Sequence, residues 1–108
     1  MTDRELLELA AKAAGVQLAD PVDSHIPSGG VWIVGRGGRD TVWSPLTDDG
    51  DALRLAVKLW IEIRVFNGRA HAGKSDKFWC TEIANADELA STRRAIVRAA
   101  AEIGKAMP

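Results

Sequence analysis

The sequence predicts an α+β fold in which helices lie above and below a mainly antiparallel four-stranded sheet, in the order αββαββα. Three observations carry this. Three segments repeat apolar residues at helical spacing, and four short segments alternate or run apolar as strands do. The hairpin formed by the first two strands is apolar on both sides, which a sheet tolerates only when each face is covered. A chain of 108 residues closes one modest core, so residues 1–108 are expected to form a single domain.

The first helix opens with the capping box Thr2-Asp3-Arg4-Glu5, in which the hydroxyl and the carboxylate each satisfy a backbone N–H. Leu6, Leu9, Ala10 and Ala13 then recur at helical spacing, and Gly15 supplies a left-handed end. Between Val16 and Gly30, the pairs Asp20-Pro21 and Ile26-Pro27 and the run Ser28-Gly29-Gly30 interrupt any helix or ladder, predicting an ordered surface connection. Val31 to Val34 and Thr41 to Ser44 read as strands around Gly35-Arg36-Gly37-Gly38-Arg39. A two-residue Gly37-Gly38 turn sets Trp32 opposite Trp43 and Ile33 opposite Val42.

Thr47 to Asp51 starts the second helix, with its acids against the positive end of the helix dipole. Ala52, Leu53, Leu55, Ala56, Val57, Leu59 and Trp60 surround that helix and leave a narrow polar stripe through Asp51, Arg54 and Lys58, which predicts the most buried of the three. Ile61 to Phe66 alternates, with Glu62 and Arg64 on the wetter face, and Asn67-Gly68 ends it. Lys77 to Ile83 is the fourth strand, with Trp79, Thr81 and Ile83 on one face and Phe78 and Cys80 on the other. Asn85 and Glu88 form a second capping box, opening a helix with Leu89, Ile96, Val97, Ala100 and Ile103 inward; Gly104 loosens its end.

Composition narrows the function classes. No run approaches the ~20 apolar residues of a membrane span, and the acidic start Met1-Thr2-Asp3-Arg4-Glu5 lacks the basic region of a signal peptide. Cys80 is the only cysteine, which fits a reducing, cytoplasmic compartment and leaves no paired zinc-ligand motif. Net charge is -1, too small a field to hold the protein on nucleic acid or anionic lipid. The charge is uneven: residues 1–52 carry nine acids against four bases, and the second half is net basic.

Gly68-Arg69-Ala70-His71-Ala72-Gly73-Lys74-Ser75 matches the phosphate-binding pattern G-x-x-x-x-G-K-[ST] letter for letter. In that chemistry backbone N–H groups cradle phosphates, Lys74 neutralises charge and Ser75 holds Mg²⁺. The pattern requires a helix after the serine, whereas Lys77-Phe78-Trp79-Cys80-Thr81 favours a strand. The segment is therefore read as a flexible hairpin loop, in which Arg69, His71 and Lys74 are candidates to receive an anion or an acidic partner surface. Asp48, Asp49 and Asp51 lack calcium-loop spacing and are read as helix capping. His25 and His71 stand in no paired-ligand motif, and Cys80 lacks an activating helix start. Arg93, Arg94 and Arg98 form a stripe able to touch phosphates, diluted by Glu88 and Glu102. The four tryptophans are expected in the core, with any exposed one acting as a partner anchor.

The block running Trp43-Ser44-Pro45-Leu46-Thr47-Asp48-Asp49-Gly50-Asp51-Ala52-Leu53-Arg54-Leu55-Ala56-Val57-Lys58-Leu59 resembles the phage ABA sandwich domain family. The opening Glu5 to Gly15 and the closing Thr92 to Ala100 share the resemblance, which spans nearly the whole chain. It implies a three-layer α-β-α sandwich encoded by a phage or prophage, with no catalytic residue or cofactor. The expected function is a non-enzymatic accessory protein in the cytoplasm of a bacterial host. It works without cofactor by binding a host or phage macromolecule, a protein ahead of a nucleic acid, and does not engage the membrane. The alternatives are a nucleotide- or phosphate-binding protein using Gly68 to Ser75 and a nucleic-acid-binding protein using Arg93, Arg94 and Arg98.

Overall fold

Helix α1 (Asp3–Ala14) begins as its capping box dictates: Thr2 Oγ1 accepts from the Glu5 N–H at 3.1 Å while the Thr2 N–H donates to the Glu5 carboxylate at 3.3 Å. It ends at Gly15, whose φ of 70° lets the chain turn back so that the Val16 N–H donates to the Ala11 carbonyl at 2.9 Å. The structure is a computed structural model that describes residues 1–19, 30–84 and 87–108. The expected connection at 16–30 lies largely outside the described residues, as do His25 and the Asn85 cap.

After α1 come β1 (Val31–Val34), a single turn of 3₁₀ helix (Arg36–Gly38), β2 (Asp40–Trp43), α2 (Asp49–Leu59), β3 (Glu62–Phe66), β4 (Arg69–Lys74), β5 (Phe78–Ile83) and α3 (Glu88–Ala106). Among the described residues the fold is thus α+β with three helices, but the strands form two antiparallel sheets, β1-β2 and β3-β4-β5. The expected order αββαββα is corrected by β4, an additional strand in the middle of the second sheet, and the expected single four-stranded sheet by the separation of β1-β2 from β3-β4-β5. Asn67 and Gly68, with φ of 52° and 68°, make the two-residue turn that sends the chain back beside β3. The segment expected to be a flexible loop is this central strand.

The first hairpin also departs from expectation by one residue. Three residues, not two, make its turn, with Gly37 and Gly38 both left-handed at φ 73° and 77°. Val31 therefore lies opposite Trp43, and Trp32 opposite Val42. A slip of one exchanges faces. Val31 and Trp43 are buried, while on the opposite side Val34 and Val42 are exposed and Trp32 is half-buried, so among the described residues that second face is only partly covered. The Gln17–Ala19 segment closes the outer edge of β1: the Val34 N–H donates to Gln17 O and the Ala19 N–H to Trp32 O, each at 2.9 Å.

Helix α3, not α2, is the most enclosed. It packs on α1 and α2 and, on another side, on β4 and β5. Ala95, Ile96, Val97, Ala99, Ala100 and Ala101 are buried there against Leu7, Ala10, Ala11 and Ala14 of α1 and Ala70, Ala72 and Cys80 of the sheet. The N-cap of α3 is Asp87, which accepts from the Ala90 N–H at 2.9 Å. Leu89, expected inward, is exposed. In α2 only Ala52, Leu55 and Ala56 are buried, whereas Leu53, Val57 and Trp60 are 59%, 67% and 84% exposed. Apolar residues ring that helix, but among the described residues its neighbours lie on one side.

Gly104 does not loosen the end of α3, which continues to Ala106. A Cβ at this position would strike the backbone carbonyl of Leu9 in α1, so glycine permits the two helices to approach closely. Helix propensity alone favours Gly104→Ala by about 1 kcal/mol. Steric conflict predicts the reverse sign, a loss of about 1–3 kcal/mol in a urea-unfolding experiment.

Candidate functional site

The β3-β4-β5 sheet has one face on α3 and one face outward. Register sorts the side chains: Ile63, Ala72 and Cys80 lie across from one another on the helix side, and so do Val65, Ala70 and Glu82. The outward rows are Glu62, Gly73 and Trp79; Arg64, His71 and Thr81; and Phe66, Arg69 and Ile83.

On this outer face the polar and aromatic groups are held in contact. The Arg64 guanidinium lies over the Trp79 ring at 4.8 Å from its centroid, and Arg64 also meets Glu62 at 3.3 Å. Phe66 and His71 stack with ring centroids 5.0 Å apart, and His71 Nδ1 is 2.9 Å from Thr81 Oγ1. The Ser75 hydroxyl donates to Glu62 Oε1. With the Ser75 backbone N–H and the neighbouring Arg64 guanidinium, this hydrogen bond holds the Glu62 carboxyl below the usual carboxylate range. Trp79 Nε1 donates to the Ser75 carbonyl at 3.2 Å, which fixes the indole under Arg64.

Of the three residues singled out in the sequence, the fold brings two together. Arg69 and His71 are two apart on β4 and share the outer face. Lys74 falls on the other side of the strand, at its end, where it lines a shallow depression with Trp60, Glu62, Ser75, Asp76 and Lys77. Arg64, Phe66 and Trp79 complete the face, although sequence reasoning does not connect them to Arg69 and His71. The alternation within β3 and β5 is visible in the sequence, but the strand joining them is not.

This placement does not give Gly68 to Ser75 the loop geometry that the phosphate-binding pattern describes. Both glycines and the serine of the pattern serve the architecture. Gly68 takes the left-handed turn position, Gly73 lets β4 approach the Phe78–Trp79 backbone, and Ser75 binds Glu62. The N–H groups from Arg69 to Lys74 point alternately to β3 and β5 in the ladders, so they cannot converge on a phosphate. Titration of Mg²⁺-ATP by calorimetry should accordingly give no heat that Lys74→Ala removes.

The arginine stripe is likewise committed. Arg93 pairs with Asp49 at 2.6 Å and donates to Leu46 O at 2.9 Å. Arg94 pairs with Asp3 at 3.0 Å, and Arg98 pairs with Glu82 and donates to Thr81 O at 3.0 Å. These guanidiniums tie α3 to α1, α2 and β5. The Asp48–Asp51 acids cap as expected: Asp48 accepts from the Asp51 N–H at 2.8 Å, and Asp51 accepts from the Ser44 N–H at 2.9 Å and pairs with Arg54 at 2.7 Å. Among the described residues no group of three or more His, Cys, Asp or Glu side chains is placed to hold a metal ion. No helix of the described residues is long and apolar enough to cross a membrane.

Cys80 is buried between the sheet and α3, and burial pushes its thiol up from the ordinary value. Iodoacetamide at pH 8 should therefore alkylate the folded protein at least about tenfold more slowly than the urea-unfolded chain. Equal rates would place the thiol at an open, reactive position instead.

No protein-family model, no curated protein and no solved structure matches the chain.

Proposed function

We propose that this chain is a non-enzymatic binding module that holds a partner protein on the open face of the β3-β4-β5 sheet. The observation that carries the reading is the composition of that face. Phe66 and Ile83, 53% and 68% exposed, flank Arg69 beside the Arg64–Trp79 and Phe66–His71 stacks. Aromatic rings and guanidiniums are the groups that dominate protein interfaces, and rings already stacked lose little side-chain freedom on binding. Arg69 makes no ion pair among the described residues. The partner surface that fits is apolar at its centre and acidic at the rim.

Protein is favoured over nucleic acid by electrostatics. A net charge of -1 supplies no long-range attraction for phosphate, and Arg93, Arg94 and Arg98 are spent on internal partners. The wider reading, a phage or prophage accessory protein acting in the cytoplasm of a bacterial host, rests on the resemblance of the Trp43 to Leu59 block. The three-layer α-β-α sandwich formed by the chain's own helices rests on the same resemblance.

The test is capture from host lysate, compared with a variant carrying Arg69→Glu and Ile83→Asp. Both side chains point outward, so the fold is retained, and together they should cost about 2–4 kcal/mol of affinity for the captured protein. Repeated failure to return a partner, or equal capture by the variant, rejects the reading. Oligonucleotide binding that weakens steeply with salt replaces it with a nucleic-acid function.

A further inference from the structure

The outer edge of β3 and the flank of α2 form a second surface, which adjoins the sheet face along Glu62, Arg64 and Phe66. Leu53 and Ile63 both line two adjoining grooves, one continuing to Leu89 and Ile96 and the other to Val57, Trp60 and Ile61. Leu53, Val57, Trp60, Ile63, Val65 and Leu89 are all exposed. Isolated apolar residues on a surface are ordinary, but a continuous strip along a strand edge marks an interface or an aggregation site.

Hydrogen-bond parity shows what that edge offers. The Phe66–Arg69 pair closing the two-residue turn exchanges both backbone bonds, and alternation makes Arg64–His71 and Glu62–Gly73 bonded pairs too. Ile63 and Val65 must then aim their N–H and C=O groups away from β4. The same alternation sends the Thr81 and Ile83 carbonyls to the opposite edge of the sheet. There α3 covers them: Arg98 donates to Thr81 O and Ser91 Oγ to Ile83 O, each at 3.0 Å. Among the described residues nothing does the same for Ile63 or Val65.

We infer that two copies of this chain pair antiparallel through β3 about a two-fold axis at Ile63. Charge selects the centre. Pairing centred on residue 62 sets glutamate against glutamate, and on residue 64 arginine against arginine. Centring on Ile63 sets Glu62 of each copy against Arg64 of the other and Ile61 against Val65, and brings Trp60, at the end of α2, toward Phe66 of the other copy. It also makes Ile63–Ile63 a bonded pair and directs the Val65 N–H to the Ile61 carbonyl across the axis. The Ile61 N–H is bound already to Ala56 O at 2.9 Å, so this pair makes one bond, from the Val65 N–H. The two α2 flanks then bring their Leu53 and Val57 side chains together beneath a continuous six-stranded sheet.

Trp60 adds an independent observation. It occupies the C-cap of α2 with φ 56° and ψ 42°, a left-handed conformation for which glycine is the ordinary residue. An indole held there and 84% exposed serves no packing within its own chain. In the paired form it meets Phe66 of the second copy.

Sedimentation and light scattering from about 1 to about 200 μM should show a species of twice the 11.6 kDa chain mass, and no larger one. Glu62→Arg and Arg64→Glu, taken singly, should each weaken association at least about tenfold, and the two together should restore it. Trp60→Gly should weaken association about tenfold without lowering the melting temperature of the monomer. A mass of one chain throughout, open-ended association, or a double swap as weak as the single variants overturns the inference. Arg69 and Ile83, used to test partner capture, lie away from the strand edge, so either surface can fail without the other.

Discussion

Everything in this fold follows from how closely α3 approaches its neighbours. Its inward residues are mostly alanines, facing Ala10, Ala11 and Ala14 of α1 on one side and Ala70 and Ala72 of β4 on another. Gly104 carries the approach to its limit, with the Leu9 backbone where a Cβ would stand. Small residues let backbones come near and make many dispersion contacts, yet each removes little apolar area from water. The usual distribution of side chains is therefore partly inverted. Alanine fills much of the centre, and Leu53, Val57, Trp60, Val65, Phe66, Ile83 and Leu89 are left outside.

That inversion explains which features are legible in the sequence. Local chemistry is readable: the Thr2–Glu5 box, the Gly15 terminus, the Asp48 cap and the alternation of β3 and β5 depend on neighbours a few residues away. Burial is not, because size alone points the large apolar residues toward the core, whereas the space between β4 and α3 is filled largely by alanine. The same fact hides β4. Arg69-Ala70-His71-Ala72-Gly73-Lys74 has no β-branched or large apolar residue, and intrinsic preference argues against a strand. Its place between two partners and against an alanine-lined helix overrides that preference. The Asn67-Gly68 pair is the one local signal for it, since it suits a two-residue hairpin turn as well as it suits the end of a strand.

The candidate chemistry separates along the same line. Readings built on short motifs lose their residues to architecture: the glycines and serine of the phosphate pattern hold a turn, a close backbone approach and a carboxylate. The arginine stripe binds α3 to the rest of the chain. Arg69 and His71 gain significance because their strand sets them between Arg64, Phe66 and Trp79. Sequence alone offers both residues but not their company, which depends on a pairing between segments that no local pattern encodes.

The separation of the two sheets bears on both surfaces. A hairpin can extend a sheet only at an edge with unpaired backbone groups. At β5 the carbonyls of Thr81 and Ile83 are taken by Arg98 and Ser91, so β1-β2 cannot join there without breaking the anchorage of α3. The hairpin instead turns Trp43 and Val31 into the core and pairs its other side with Gln17–Ala19. One sheet edge is thus closed from within the chain, while the β3 edge and the outer face keep their apolar and guanidinium groups exposed. A core rich in alanine leaves this much larger apolar surface outside, and the two proposed pairings differ in what they bring to it. At the edge the proposed occupant is a strand of complementary charge, and at the face an apolar patch with an acidic rim.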